Sequence, residues 1–176
     1  MITDFFNTSA KLKNIPRQGW IEKLSLNTTE SVADHTFSMA MIGMIFSDLE
    51  NYDTEKILKI ILLHDLAESV IGDIPPQHIS KERKTKLENT AMKEILNNLP
   101  DRIQKQYSSL WMEYQLNLSM ESQLVHQIDK LEMALQAKIY SNEGYSEDSL
   151  DSFFNAAKNE ITNPKLVELL KKILEK

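Results

Sequence analysis

The chain has 176 residues, no cysteine and a formal net charge of −6 at pH 7. Without cysteine it has no disulfide framework, thiolate metal site or cysteine nucleophile; this composition is typical of a reducing compartment, so we expect a cytoplasmic protein. The negative charge argues against binding to nucleic acid, and the longest purely aliphatic run, residues 60–63, is too short to cross a membrane, so we expect neither partner.

The composition predicts an all-α fold. Only 4 glycines and 5 prolines interrupt the chain, which favours long helices, and no segment of strand length alternates between apolar and polar residues. No fixed-period repeat or Ser/Gly-rich linker divides the chain. We therefore predict one compact domain over residues 1–176, a bundle of about six to eight helices. Residues 30–142 form the core that carries the chemistry, and helices within 147–175 pack on it.

The helices follow from the spacing of apolar residues and from capping signals. Between residues 32 and 49, apolar side chains fall three and four positions apart, and Ser31 with Asp34 forms a capping box at the start. Asp53 is the N-cap of the next helix, which contains His64 and ends near Gly72, because two prolines follow. The predicted helices are 32–49, 53–72, 80–98, 100–114, 120–142, 147–160 and 164–175.

Two of the four histidines, His35 and His64, lie within apolar helical faces. A buried histidine has to satisfy both ring nitrogens, and a metal ion on one nitrogen with a carboxylate or carbonyl on the other does so. For a single histidine, the more frequent explanation is a core side chain that is hydrogen-bonded to the backbone. The residues that follow His64 change this balance.

The segment His64-Asp65-Leu66-Ala67-Glu68 brings together three ionisable side chains. In a continuous helix, His64 and Glu68 lie four positions apart and Asp65 lies three positions before Glu68, so all three approach one face. Burying several such groups without partners is unfavourable by several kcal/mol. A divalent cation is the simplest compensation, and charge pairing within the core is the alternative.

Two further aspartates extend this set. Asp129 lies at the edge of a buried helical stripe. Such a carboxylate is more often paired with a basic residue, here Lys130, but beside a histidine-aspartate pair it favours a metal ligand. Asp73 follows the predicted end of the His64 helix, in a loop that prolines stiffen. Loops of this kind often hold reactive groups, and a turn-forming aspartate is the alternative.

Four segments carry a resemblance to a known family. They are Ile15-Pro16-Arg17-Gln18-Gly19-Trp20, Glu30-Ser31-Val32-Ala33-Asp34-His35, His64-Asp65-Leu66-Ala67-Glu68 and Gly72-Asp73-Ile74-Pro75. Together with Asp129, they resemble the HD-domain metal-dependent phosphohydrolases, an all-helical fold with a buried metal site, and in particular the 5′-deoxynucleotidase branch. The resemblance covers the whole chain. It implies that a metal-activated water removes the phosphate of deoxyribonucleoside 5′-monophosphates.

The resemblance also implies roles for individual residues. The implied ligands of the divalent cation are His35, His64, Asp65 and Asp129. A site of two imidazoles and two carboxylates accepts Mn, Co, Mg, Zn, Fe or Ni. Glu68 and Asp73 are the implied catalytic residues, with Glu68 positioning the water and Asp73 serving as general acid or base. Alternatively, these two side chains and the Ile74 carbonyl complete a second metal site.

The implied substrate contacts are Arg17, Trp20, Asp73, Ile74, Pro75 and Pro76. Some members of the branch have an arginine directly before the tryptophan; this chain has Gly19 there and Arg17 two positions earlier. Lys81 and Arg83 are further candidate partners for a phosphate, although an exposed cation is usually only solvated. Members of the branch tend to form homodimers, so we expect a homodimer, to which an exposed apolar strip on the C-terminal helices would contribute.

Two other functions fit the same residues. One is hydrolysis of another nucleotide phosphoester, a triphosphate or a cyclic nucleotide, because the fold and ligands leave the substrate open. No Lys/Arg-rich cradle for a triphosphate is evident, which favours a monophosphate. The other is a catalytically inactive nucleotide- or metal-binding helical module. Glu68 and Asp73 argue against it, because the metal ligands alone would suffice for binding.

Overall fold

The computed structural model describes residues 1–175, which form ten α-helices joined by short connections. They are α1 (Ile2–Ala10), α2 (Gln18–Leu24), α3 (Val32–Glu50), α4 (Thr54–His64), α5 (Glu68–Ile71), α6 (Lys81–Leu96), α7 (Asp101–Gln115), α8 (Met120–Asn142), α9 (Glu147–Glu160) and α10 (Pro164–Leu174). Single turns of 3-10 helix occur at Lys11–Asn14 and Pro76–His78. In this part of the chain the only β-type pairing is an isolated bridge between Pro16 and Ser31. The predicted all-α fold is confirmed.

All seven predicted helices are present, but the one predicted over residues 53–72 is divided into α4 and α5. Two short helices, α1 and α2, are additional and have 9 and 7 residues. Elements this short show too little of a 3.6-residue period to be recognised from the spacing of apolar residues. The predicted capping signals are formed, because the Ser31 hydroxyl accepts a hydrogen bond from Asp34 N and the Asp53 carboxylate accepts one from Lys56 N.

The helix that carries His64 is shorter than the sequence predicts. It ends at His64, and Asp65 leaves helical geometry at φ −109° and ψ 11°. A tight turn follows, in which Glu68 N donates to the Asp65 carbonyl at 3.0 Å. The short helix α5 then runs from Glu68 to Ile71, and Gly72 follows it with a φ of +78°, which favours glycine. The prediction that His64 and Glu68 are stacked on one continuous helix is therefore wrong.

The core lies between α3, α4 and α8, which pack on one another. Their buried apolar side chains include Val32, Met39, Phe46, Ile57, Ile60, Ile61, Leu124, Ile128 and Leu131. The helices α3 and α4 approach closely at Gly43, where a Cβ atom would overlap the side chain of Ile61. This packing brings the rings of His35 and His64 together, with a centroid separation of 5.5 Å.

The C-terminal helices α9 and α10 pack against α8 and against each other. Their buried side chains include Leu150 and Phe154 from α9, and Leu166 and Leu170 from α10. None of the helices in residues 1–175 is long and apolar enough to cross a membrane.

Candidate metal centre

Three of the four residues predicted to bind a metal, His35, His64 and Asp129, cluster where α3, α4 and α8 meet, and Asp65 lies beside both histidines. His35 Nε2 lies 3.3 Å from Asp129 Oδ1 and 3.9 Å from Asp65 Oδ2. His64 Nε2 lies 3.0 Å from the same Asp65 oxygen. Both imidazoles are buried, whereas the two carboxylates are partly exposed. The cluster is therefore closed on the histidine side and open on the aspartate side.

Each histidine is held through its Nδ1 atom. His35 Nδ1 lies 2.5 Å from Glu132 Oε2, and His64 Nδ1 lies 2.6 Å from the Ile61 carbonyl oxygen. A carbonyl can only accept a hydrogen bond, so His64 Nδ1 carries the proton and, in the neutral ring, Nε2 presents a lone pair. Both Nε2 atoms are buried and make no hydrogen bond. The two Nε2 atoms thus face the same small space without a hydrogen-bond partner.

This arrangement fits a divalent cation. Ligand atoms about 2.1 Å from one ion lie about 3.0 Å apart at right angles and somewhat farther apart at wider angles. The separations from His64 to Asp65 and from His35 to Asp129, 3.0 and 3.3 Å, are of this size. Ligand atoms of His35, His64 and Asp129 all lie within 4.8 Å of one another. A cation among them would satisfy both buried Nε2 atoms.

The electrostatics of the cluster favour positive charge. Burial would raise the pKa of Asp129, but Lys130 and His35 outweigh burial and hold it well below the ordinary value. Burial and Arg17 would lower the pKa of His35, yet the carboxylates of Asp129 and Glu132 outweigh them and raise it to about 9. The carboxylates of Asp129 and Glu132 thus stabilise a positive charge between them by more than the free-energy cost of burying that charge.

Glu68 and Asp73, the predicted catalytic residues, lie beside this cluster. The Glu68 side chain is buried, with 2% of the residue exposed, and its Oε2 atom makes no hydrogen bond. Burial, together with the neighbouring Asp65 and Asp73, raises the pKa of Glu68 well above its ordinary value. Asp73 is partly buried and accepts a hydrogen bond from Gln18 N at 2.8 Å. Glu68 and Asp73 thus lie next to each other and to Asp65, with a raised pKa for Glu68.

Arg17 reaches the cluster from the N-terminal part of the chain. Its backbone N–H donates to the Glu30 carbonyl, beside the isolated bridge, and this fixes Arg17 close to the start of α3. The guanidinium Nη1 atom lies 3.6 Å from Asp65 Oδ2. Arg17, which was predicted to contact the substrate, is thus at the open side of the cluster.

Trp20, also predicted to contact the substrate, lies in the core with only 2% of the residue exposed. Its indole N–H donates to Glu30 at 2.8 Å, and its ring packs against Phe153 with a centroid separation of 4.1 Å. Direct contact with a substrate remains a prediction, and this position favours a supporting role. Of the other predicted contacts, Ile74 is partly buried, Pro75 is buried and Pro76 is exposed.

Two residues of the site were not predicted from the sequence. Glu132 is buried, with 2% of the residue exposed. A glutamate four positions after the core residue Ile128 is a recognisable signal, because such side chains are rarely buried without a partner. Lys84 reaches Glu68 from α6, with 3.7 Å between Nζ and Oε1. Nothing in the sequence separates Lys84 from the other basic residues of that polar helix.

Comparison with known proteins agrees with this geometry. Residues 9–169 match the family described as HD domain. Human 5′-deoxynucleotidase HDDC2 is 33% identical over 98% of this chain and 84% of its own length, and the protein of the same name from Dictyostelium discoideum is 38% identical over 92% and 90%. A conserved hypothetical protein of known structure from Pyrococcus furiosus is similar with a TM-score of 0.81 and 34% identity, over 99% of both chains.

Proposed function

Since this chain belongs to the HD domain family, we propose that it is a metal-dependent 5′-deoxynucleotidase, which removes the phosphate of deoxyribonucleoside 5′-monophosphates. The names of its curated relatives support this substrate class. The observation that carries the proposal is the pair of buried, unpartnered Nε2 atoms facing two aspartates, beside a buried glutamate. A module that only binds a metal would need the two histidines and two aspartates but not the buried Glu68.

The proposed metal ligands are His35, His64, Asp65 and Asp129. Nitrogen and oxygen donors in this ratio suit Mn, Co, Fe, Ni, Zn or Mg. A divalent cation here supplies Lewis acidity, which lowers the pKa of a water and withdraws electron density from the phosphate. Arg17, at the open side, adds a guanidinium donor for a phosphate oxygen.

Glu68 and Asp73 act on the attacking water and on the leaving group in this proposal. Glu68 orients the water, and Asp73 takes a proton from it as general base while the water oxygen forms a bond to phosphorus. The bond from phosphorus to the sugar O5′ breaks, and Asp73 passes the same proton to this leaving oxygen as general acid. The products are a deoxynucleoside and inorganic phosphate. Alternatively, a second cation site forms from Glu68, Asp73 and the Ile74 carbonyl. The number of ions bound per chain distinguishes this second site from the proton-transfer roles.

Phosphate release from a panel of ribo- and deoxyribonucleoside 5′-monophosphates tests the proposal. The protein is first chelated, and Mn, Co, Mg and Zn are then added back singly. We expect metal-restored release, preferentially from deoxyribonucleotides, that is lost in Asp65→Ala and kept in Asp151→Ala, an exposed aspartate on α9. Release only from triphosphates or cyclic nucleotides would favour the other phosphoester reaction. No release from any of them, with metal bound, would favour the inactive module.

We also propose that the protein forms a homodimer through α3. Among residues 1–175, the C-terminal helices expose one large apolar side chain, Leu169, whereas α3 exposes four at intervals of four residues: Phe37, Met41, Ile45 and Leu49. This helix contains no lysine or arginine, so a second copy can pack its own α3 against the stripe without burying a cation. We expect wild type to sediment as a dimer and Ile45→Lys as a monomer; a wild-type monomer would contradict the proposal.

A further inference from the structure

Three basic side chains in the described part of the chain approach the carboxylates of the candidate site. Arg17 Nη1 lies 3.6 Å from Asp65, Lys130 Nζ lies 3.0 Å from Asp129, and Lys84 Nζ lies 3.7 Å from Glu68. They come from three distant parts of the sequence. Arg17 was predicted from the sequence to contact the substrate, and Lys130 donates a hydrogen bond to Asp129, its neighbour in the chain. The third, Lys84, has no assigned role.

The position of Lys84 differs from that of the other basic residues on α6. Lys81, Arg83, Lys86 and Lys93 are exposed, whereas the Lys84 side chain is only 26% exposed and points to the side of α6 that packs on α5. The N-terminal residue of α5 is Glu68. Lys81 and Arg83, the candidates from the sequence, therefore lie at the surface, and the cation that reaches the site is Lys84.

A second lysine in the same molecule shows what a structural role looks like. The Lys56 side chain is also 26% exposed and also lies between two glutamates. Its Nζ atom is 2.6 Å from Glu113 and 3.1 Å from Glu121, distances of formed charge-assisted hydrogen bonds. Lys84 Nζ is 3.7 Å from Glu68 and 3.6 Å from Glu88, too far for strong hydrogen bonds. The Lys84 side chain thus has the same exposed fraction as that of Lys56, but its ammonium keeps its donors available.

Because its donors are available, the Lys84 ammonium can donate hydrogen bonds to an anion that binds in the candidate site. A phosphate monoester carries between one and two negative charges near neutral pH, and its oxygens accept hydrogen bonds from lysine and arginine. Arg17 stands beside Asp65 and Lys84 beside Glu68, so the two cations flank the carboxylates that would surround the phosphate. We propose that Lys84 binds a non-bridging oxygen of the substrate phosphate and, with Arg17, sets the preference for a phosphate monoester.

This inference rests on the proposed function, but its test does not depend on turnover. The probe is inorganic phosphate, titrated calorimetrically into Mn²⁺-loaded protein. We expect Lys84→Met to weaken phosphate binding by about 10- to 100-fold, the usual effect of losing one charge-assisted hydrogen bond. Lys84→Arg should bind phosphate within about fivefold of wild type, because it keeps the charge. Mn²⁺ affinity should be unchanged in both variants.

The matched control is Lys56→Met, which removes a lysine of equal exposure from between two glutamates. Lys56→Met should lower the melting temperature and leave phosphate affinity unchanged. Lys84→Met should weaken phosphate binding and leave the melting temperature unchanged. Equal phosphate affinity in Lys84→Met and wild type would overturn the inference. So would a fall in kcat without a change in phosphate affinity or KM, because Lys84 would then act only by positioning Glu68.

The outcomes for the two proposals are distinguishable. If wild type hydrolyses no deoxynucleoside monophosphate but binds phosphate, the proposed function fails, and the phosphate affinities of the Lys84 variants still decide the inference. If wild type hydrolyses these substrates and Lys84→Met has an unchanged KM and phosphate affinity, only the inference fails. If metal-loaded wild type binds no phosphate at all, the inference is overturned.

Discussion

The candidate site has two sides that are built differently. On the inner side, His35 and His64 are buried on long helices, and each is held by a hydrogen bond of 2.5 to 2.6 Å at Nδ1. On the outer side, Arg17, Asp73 and Lys84 come from a loop, a turn and a polar helix, and the two cations lie 3.6 to 3.7 Å from the nearest site carboxylates. The inner side is preorganised, whereas the outer side keeps its donors available.

This difference separates two tasks. Metal binding requires ligand atoms fixed in orientation, and partners on the second ring nitrogen supply that fixation. Binding and releasing a phosphate requires charges that are near each other without being locked in pairs, because every hydrogen bond already formed has to be broken first. We therefore expect substitutions on the inner side to change metal affinity, and substitutions on the outer side to change phosphate affinity or turnover at constant metal affinity.

The largest effect is expected on the inner side, for His64→Ala. This change removes a nitrogen ligand whose Nε2 has no other partner. Because the cation contributes several kcal/mol of transition-state stabilisation, activity should fall by at least about 1,000-fold. Calorimetric titration with Mn²⁺ should show lost or much weaker binding. His78→Ala, an exposed histidine bonded to Glu22, is the control and should bind metal normally. Normal metal binding by His64→Ala would remove this residue from the ligand set.

The next largest effect is expected on the outer side, for Asp73→Asn. The amide oxygen can still accept the hydrogen bond from Gln18 N, so the fold should be kept. The amide cannot donate an acidic proton, and general acid catalysis is worth about 10²–10⁴ in rate. We expect kcat to fall by at least about 100-fold with one ion bound per chain in wild type and variant alike. Loss of one of two bound ions would instead indicate that Asp73 is a metal ligand.

A smaller effect is expected for Glu132→Gln, which tests how the inner side is held. The glutamine can still accept the hydrogen bond from His35 Nδ1. It lacks the negative charge that raises the basicity of the imidazole and so strengthens its bond to the metal. Loss of the hydrogen-bond partner behind a ligating histidine typically weakens metal binding by about 10- to 100-fold, and we expect about 10-fold here and more in Glu132→Ala. Glu143→Gln, a change at an exposed residue directly after α8, should not alter metal affinity. An unchanged affinity in Glu132→Ala would show that packing alone orients His35.

The smallest effect is expected for Trp20→Phe, which tests whether Trp20 only supports the core or also contacts the substrate on the outer side. The change removes the indole donor to Glu30, and one such hydrogen bond contributes about 0.5–1.5 kcal/mol to stability. For a chain of this size the melting temperature should fall by about 1–6 °C. If Trp20 is a core residue, KM should stay within about twofold of wild type. A large rise in KM at unchanged stability would restore the predicted substrate contact.

Most of the inner side was predictable from the sequence because its signals are local. Histidines and aspartates stand at defined positions within apolar helical spacing, and the motifs around them resemble one family. The break in the helix after His64 was not predictable, since the residues from Asp65 to Glu68 continue a helical pattern. The turn forms because tertiary packing, and not local propensity, decides where the backbone leaves α4.

The outer side was predictable only in part. Arg17 was identified through the motif that contains it, but Lys84 stands among four other basic residues on α6, and only the packing of α6 on α5 singles it out. The expected homodimer strip illustrates the same limit, because helical spacing on α3 and on the C-terminal helices looks alike. Burial of Leu166 and Leu170 and exposure of Phe37 and Ile45 distinguish them.

The sequence by itself therefore determined the all-helical fold, the family and the candidate metal ligands, because helical periodicity and short motifs are properties of neighbouring residues. Only the tertiary structure decided that Glu132 supports His35, that Trp20 is enclosed and that Lys84 faces Glu68. These are contacts between residues far apart in the chain. Their distances follow from how helices pack, which no local pattern encodes.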